Sequence, residues 1–222
     1  MHIPDGFVSG EVNLAAFSLS AAACSLAVVR ANGRLRDRQV PLLGTTAAFV
    51  FAAQIINFPI GGGTSGHFLG AILAAVLLGP LNACLLMALV LTIQCLVFAD
   101  GGLTALGTNI FNMGVVGGIG CYYLFSFLKA VLPATRQAFL FAASAASWVS
   151  VVATSAAVAT ELALSGTSPL RVALPAMVGV HAVIGVGEAI ITATVLSVVL
   201  ARRPDLVGSW SGFQPRQRLQ ET

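Results

Sequence analysis

The sequence predicts an all-α integral membrane protein, on three observations. Of its 222 residues, 57% are hydrophobic and 9% charged, whereas ordinary soluble domains carry about a quarter charged residues. The mean hydropathy is +0.93, more apolar surface than one globule of this size can bury. The apolar residues also fall in long runs broken by short polar or Gly/Pro-rich stretches, the pattern of successive spans. The 23 glycines fit this reading, because small residues let membrane helices approach closely.

The first apolar run, 13–29, ends at Arg30, Arg34, Arg36 and Arg38. The second, about 40–56, stops at Asn57-Phe58-Pro59, and the loop Gly61-Gly62-Gly63-Thr64-Ser65-Gly66-His67 follows. The run 68–78 is short enough to be re-entrant. Then come 81–98, the turn Ala99-Asp100-Gly101-Gly102, a run at about 105–128, an alanine-rich run at 138–163, and a last span at 172–201. If 68–78 crosses, there are seven spans. With the N-terminus outside and the C-terminus inside, the loops at 30–38 and 129–136 and the tail hold ten of the eleven Lys and Arg residues, leaving Arg171 outside. A re-entrant 68–78 breaks that segregation, so seven spans is the better count. The expected organisation is one membrane domain: an outer strand at 1–12, a helical bundle at 13–203 and a cytoplasmic tail at 204–222. No cleavable signal peptide is expected, as the N-terminus lacks a basic n-region. Cys24, Cys84, Cys95 and Cys121 lie in apolar runs without a C-x-x-C pair and read as small buried hydrophobes.

The chemistry centres on Met1-His2-Ile3-Pro4-Asp5-Gly6-Phe7. Initiator methionine is normally removed only before a small residue, so His2 should preserve the Met1 amine. The α-amine, the His2 amide and His2 Nδ1 close a five- and then a six-membered chelate ring on one metal once the amide loses its proton. A planar nitrogen set of this kind suits Ni(II) or Cu(II) and could hold Co(II). One corner of the square stays open. His67, between a glycine-rich loop and an apolar run on the predicted outer side, is the natural fourth donor. The alternatives are a frayed, exposed His2 and a His67 bonded only to its loop. Asp5, Ser65, Gln94, Asp100, Asn109 and Asn112 are polar residues near outer ends of spans; each could accept from an imidazole N–H or tie the N-terminal strand down. His181 precedes Glu188 by seven residues on one face of the last span. That pair reads either as functional or as a structural hydrogen-bonded pair.

Other motifs fail. The glycine loop lacks the lysine of a phosphate-binding loop. Gly114 to Gly120 lies in a membrane run with no strand before it, which favours close helix packing. No catalytic set, paired carboxylates or basic nucleic-acid face is present, so an enzyme is not expected.

The N-terminal heptapeptide, Gly61–His67, Asp100-Gly101-Gly102-Leu103-Thr104-Ala105-Leu106-Gly107, Asn112-Met113-Gly114 and His181 to Glu188 together resemble the CbiM/NikM family, substrate-binding S components of cobalt and nickel energy-coupling-factor transporters. The likeness covers nearly the whole chain. It implies a six-helix core with an extra N-terminal helix, and Met1, His2 and His67 as metal ligands. It further implies Ni(II) or Co(II) as transported substrate and residence in a bacterial cytoplasmic (inner) membrane. The implied partners are a transmembrane coupling (T) subunit, ABC ATPase subunits and a small N-type membrane subunit, and the length resembles the stand-alone form. Two rival classes stay open: a self-sufficient metal channel or secondary carrier, and a membrane scaffold that binds no ligand.

Overall fold

A computed structural model describes residues 1–31, 39–60 and 64–210. Arg34, Arg36 and Arg38, Gly61–Gly63 and the tail from residue 211 lie outside the described residues. The helices are α1 (Gly10–Ala31), α2 (Gln39–Ile55), α3 (Ala71–Leu78), α4 (Pro80–Phe98), α5 (Leu106–Val131), α6 (Arg136–Leu164) and α7 (Leu170–Arg202). Five of them, α1 and α4 to α7, are long and apolar enough to cross a membrane, and α2 is a shorter apolar helix. A two-stranded antiparallel hairpin, β1 (Phe58–Ile60) and β2 (Thr64–Gly66), joins α2 to the segment before α3, with Pro59 opposite Ser65.

Local chemistry sets the helix ends. Gly79, at φ +88°, breaks the chain between α3 and α4, and Pro80 opens α4, where its missing N–H is no loss. Ala99 closes α4 in the left-handed region, its N–H bonded to the Gln94 carbonyl. Thr135 caps α6 by accepting from the Ala138 N–H.

The run expected at 68–78 is helical only over its last eight residues. Every residue of α3 is buried, yet eight residues rise only about 12 Å. Before it, Thr64–Gly66 is strand and residues 67–70 form no regular element, Gly70 lying in the left-handed region at φ +76°. Residues 66–70 are all buried inside the protein. By contrast α1 buries only Ala16, Ser20 and Ala27 and packs on the rim: the Ser20 hydroxyl donates to the Gly107 carbonyl at 2.7 Å, and a Cβ at Gly107 would meet Phe17 at 2.6 Å.

The glycine-rich middle of α5, Phe111–Gly120, is wound as a π-helix. Its glycines permit close packing, as the sequence led one to expect: a Cβ at Gly117 would lie 2.7 Å from Thr154 Oγ1, and one at Gly114 would lie 3.2 Å from Cys84 Sγ. Hydroxyls of α6 donate to carbonyls of this stretch, Ser150 to Gly117 and Thr154 to Asn112.

Contacts sort the connections into two ends. Residues 1–7, Asn57, the 99–105 turn and Thr167 meet at one end. Residues 207–210 meet Val76, Leu77, Tyr122 and Lys129 at the other.

Candidate metal centre

The first residues run as an extended strand held by side chains and glycines rather than by a sheet. Asn109, near the start of α5, accepts from the Ile3 N–H at 2.8 Å and donates to the Ile3 carbonyl at 3.1 Å. The Gly102 N–H donates to the same carbonyl at 2.8 Å. Asp5 Oδ1 accepts from both the backbone and hydroxyl of Thr104, which holds its carboxyl below the ordinary value. Thr167 donates its hydroxyl to the Phe7 carbonyl. Gly102 is required by space: a Cβ there would lie 2.3 Å from the Asp5 nitrogen.

This docking buries Met1 and His2 completely or nearly so, at 0% and 3% exposure; His2 is not a frayed end. The Met1 amine donates to the Ser65 carbonyl and to Ser65 Oγ. Burial pushes its pKa from 8.0 down to about 4, with the Asp100 charge opposing, so the amine is neutral at neutral pH and its lone pair is available. Burial likewise lowers His2, against the opposing pull of Asp100. Half-burial raises the Asp100 carboxyl, but His2, the amine and the Asn57 amide outweigh it and hold the group below its ordinary value.

His2 and His67 face each other with ring centroids 4.5 Å apart and planes tilted by 40°. His67 Nδ1 lies 2.6 Å from the Phe68 carbonyl. A carbonyl only accepts, so Nδ1 carries the proton and Nε2 the lone pair. That Nε2 and His2 Nε2 are buried without a hydrogen-bond partner. His2 Nδ1 sits 2.7 Å from Asp100 Oδ1, a contact that orients the ring. Native proteins rarely bury polar atoms unpaired. Two such imidazole nitrogens lie in this cluster together with the buried Met1 amine. Among the described residues no three His, Cys, Asp or Glu side chains gather to hold an ion; the set is complete only if the main-chain amine counts. Beside it a pocket of about 550 Å³ is lined by His2, Asp5, Asn57, Ser65, Cys95 and Asp100 among others, an approach flanked by two carboxylates.

The remaining sequence candidates divide. Asp5, Ser65, Asp100 and Asn109 touch the strand or its donors. Asn112 is not among these contacts: its amide donates to Glu161 at 2.5 Å. Gln94 is fully buried with both side-chain amide atoms unpartnered, while its carbonyl serves the 99–100 turn. His181 donates through Nδ1 to the Met177 carbonyl one turn back; it does not bond Glu188, but its ring reaches the Ser65 backbone and lies close enough to the Met1 amine and His67 to act on them electrostatically. Glu188 reaches the Leu69 and Gly70 amides instead, at 2.6 and 2.7 Å. Sequence reasoning passed over Gln54, whose Nε2 donates to the Leu69 carbonyl at 2.7 Å, Asn57, which donates to Asp100, and Thr104. A buried glutamine inside an apolar run was the available signal for Gln54; Asn57 and Thr104 are ordinary loop residues.

The chain is similar to known metal transport proteins. The chain is 42% identical over 209 residues to a putative fused nickel transport protein NikMN of Archaeoglobus fulgidus, covering 93% of this chain and 68% of that one. It is equally 42% identical to a putative metal transport protein of Haloquadratum walsbyi, with 93% of each chain covered. A crystal structure of a truncated transition metal transporter superposes with a TM-score of 0.83 at 31% identity, over 90% of this chain and 99% of that one. Residues 2–206 match the family described as the cobalt uptake substrate-specific transmembrane region, and this multi-pass membrane chain belongs to that family, CbiM.

Proposed function

We propose that the chain is the substrate-binding membrane subunit of an ATP-driven uptake transporter for Ni(II) or Co(II). The observation that carries this reading is a buried Met1 amine beside two facing imidazoles, each with a buried and unpartnered Nε2. In the proposed site the Met1 amine, the deprotonated His2 amide, His2 Nδ1 and His67 Nε2 form a four-nitrogen plane. Such a plane selects by geometry against Zn(II), which prefers a tetrahedron, and against the oxygen-seeking Mg(II). It does not exclude Cu(II) by affinity. Because burial already keeps the amine and His2 unprotonated near neutral pH, the proton still released on binding is chiefly that of the amide.

The site lies at the outer end of seven crossings, N-terminus out and C-terminus in, with 64–78 crossing as strand, irregular backbone and helix. Asp5 and Asp100 draw the cation into the pocket beside His2. Energy comes from separate ABC ATPase subunits acting through a transmembrane coupling subunit, with a small N-type membrane subunit as further partner. The family and relatives named as nickel and cobalt transport proteins support the cargo; the partners follow from the resemblance to this transporter class.

Calorimetry with Ni(II) and Co(II) on detergent-purified protein tests the reading, comparing free Met1 with a one-residue N-terminal extension. The extension leaves every side chain in place but converts the amine to an amide and moves the imidazole one residue along. Collapse of binding is expected. Undiminished binding would show that the amine is not a ligand, and the four-nitrogen site would have to be abandoned.

A further inference from the structure

His67 is oriented by one peptide group, and that group is gripped at both ends. The Phe68 carbonyl oxygen accepts from His67 Nδ1 at 2.6 Å. The N–H of the same Phe68–Leu69 peptide donates to Glu188 Oε2 at 2.6 Å, and the next N–H, Gly70, donates to Oε1 at 2.7 Å. Glu188 sits on α7, 121 residues from His67 in sequence, and is 1% exposed.

Just past these two N–H groups the chain turns into α3 through Gly70, at φ +76°. A Cβ at that position would lie 2.8 Å from both Phe68 and Val50 side-chain atoms. From the opposite side Gln54 Nε2 donates to the Leu69 carbonyl at 2.7 Å. The irregular strand leading from His67 into α3 is therefore fixed by buried side chains of α2 and α7.

We infer that Glu188 is a positioning residue for the metal site, acting on His67 through the Phe68–Leu69 peptide. A carboxylate bonded to a peptide N–H polarises that peptide and makes its oxygen a stronger acceptor. The stronger acceptor holds the His67 Nδ1–H, fixes the tautomer and ring plane, and leaves Nε2 a better donor. Metal-binding histidines commonly have a carboxylate or carbonyl in this role directly; here the carboxylate works at one remove, through the amide. Gln54 secures the same strand from behind.

The inference rests on the proposed Ni(II)/Co(II) site, and its test separates the two. Full-length protein with free Met1 is titrated in detergent with Ni(II), and with Cu(II) to extend the measurable range. The four proteins are wild type, Glu188→Gln, His67→Ala and the double variant. Glu188→Gln keeps the shape but replaces one acceptor oxygen with an NH2 facing an N–H donor. It is expected to weaken Ni(II) binding about 10- to 100-fold and to shift the ligand-field band to longer wavelength. In the His67→Ala background, where the terminal chelate remains, the same change is expected to alter affinity by no more than about twofold.

Wild-type affinity in Glu188→Gln overturns the relay and leaves the metal site standing. So does an equal loss in both backgrounds, which assigns Glu188 to the bundle at large. Absence of binding by the wild type removes the site, and the relay with it. Should Glu188→Gln not fold, Gln54→Met replaces it. One hydrogen bond lost from the strand is expected to weaken binding about fivefold, again only when His67 is present.

Discussion

The two ends of the α3 column are closed by short non-helical segments built to opposite rules. At the end nearer Leu78, residues 207–210 finish the structure. The Gly208 and Ser209 N–H groups donate to the Leu77 and Val76 carbonyls, which the helix itself leaves orphaned. Lys129 donates to the Ser209 carbonyl, Tyr122 bonds the Ser209 hydroxyl, and Trp210 packs edge-on to Phe139, itself edge-on to Phe125. At the other end residues 1–7 are docked with equal care, but the docking leaves His2 Nε2 and His67 Nε2 buried and unpartnered. An unpaired buried polar group costs about 1–3 kcal/mol. One end is arranged for stability; the other carries a standing cost at the donor atoms, which a bound cation would relieve.

The comparison breaks most simply by substitution at each end. His2→Ala or His67→Ala is expected to reduce Ni(II) affinity by more than the roughly 100-fold seen for supporting residues, with little change in thermal stability. Trp210→Ala is expected to do the reverse. It should cost about 2 kcal/mol, below the ~3–5 of fully buried aromatics, and leave the affinity of folded protein unchanged. Calorimetry and thermal melting in one detergent read both. Strong loss of binding in Trp210→Ala would join the two ends and undo the contrast.

Gly102→Ala sharpens it. A Cβ there would fall 2.3 Å from the Asp5 nitrogen and 2.7 Å from the Pro4 carbonyl carbon, so the strand must lift away with every donor still present. The expected outcome is a loss of Ni(II) affinity on the order of 100-fold, close to that of a missing ligand. Near-native affinity would mean that the strand binds metal without docking.

Much of this was legible in the sequence, for identifiable reasons. The spacing of Met1-His2 motivates the proposed chelate, and the helices long enough to span follow from apolar length. Asp5 and Asp100 were singled out as polar residues near the outer ends of spans, and the structure puts both on the pocket beside His2. The non-helical course of 64–70 was not legible, since an apolar run does not by itself reveal its backbone conformation. Its backbone is satisfied by Gln54 and Glu188, whose role depends on contacts 15 and 119 residues away. The heptad-like spacing of His181 and Glu188 invited pairing them, yet each bonds backbone instead. Asn112 was drawn toward the site by its place near a span end, but the π-helical winding of α5 accompanies a bond to Glu161. Periodicity carries no signal for such winding.

The docked strand should also respond to pH. Its amine has a folded value of about 4 against 8.0 when free, so between those limits the released strand binds a proton that the docked strand does not. Docking therefore strengthens as pH rises from 4 to 8 and weakens as pH falls, by up to about 1.4 kcal/mol per unit. His2, lowered by burial, acts in the same direction below 6.5. Hydrogen exchange at the Ile3 amide, corrected for intrinsic rate, should show protection falling from pH 8 to pH 5. The 207–210 segment should show no such trend. Constant protection at Ile3 would mean that the amine stays charged in place.

The smallest effect concerns approach to the site. Asp5 lies on the rim of the pocket beside His2, fully exposed and bonded to Thr104. Asp5→Asn keeps an acceptor for Thr104 and removes only the charge. One exposed charge is worth little at equilibrium, but it raises the local cation concentration at the mouth of the pocket. Stopped-flow mixing should therefore show Ni(II) association slowed about two- to threefold at low salt, with the difference vanishing as ionic strength shrinks the screening length. The dissociation rate should not move. A change confined to dissociation would place Asp5 in the holding of the strand, alongside Asn109, and not in the path of the ion.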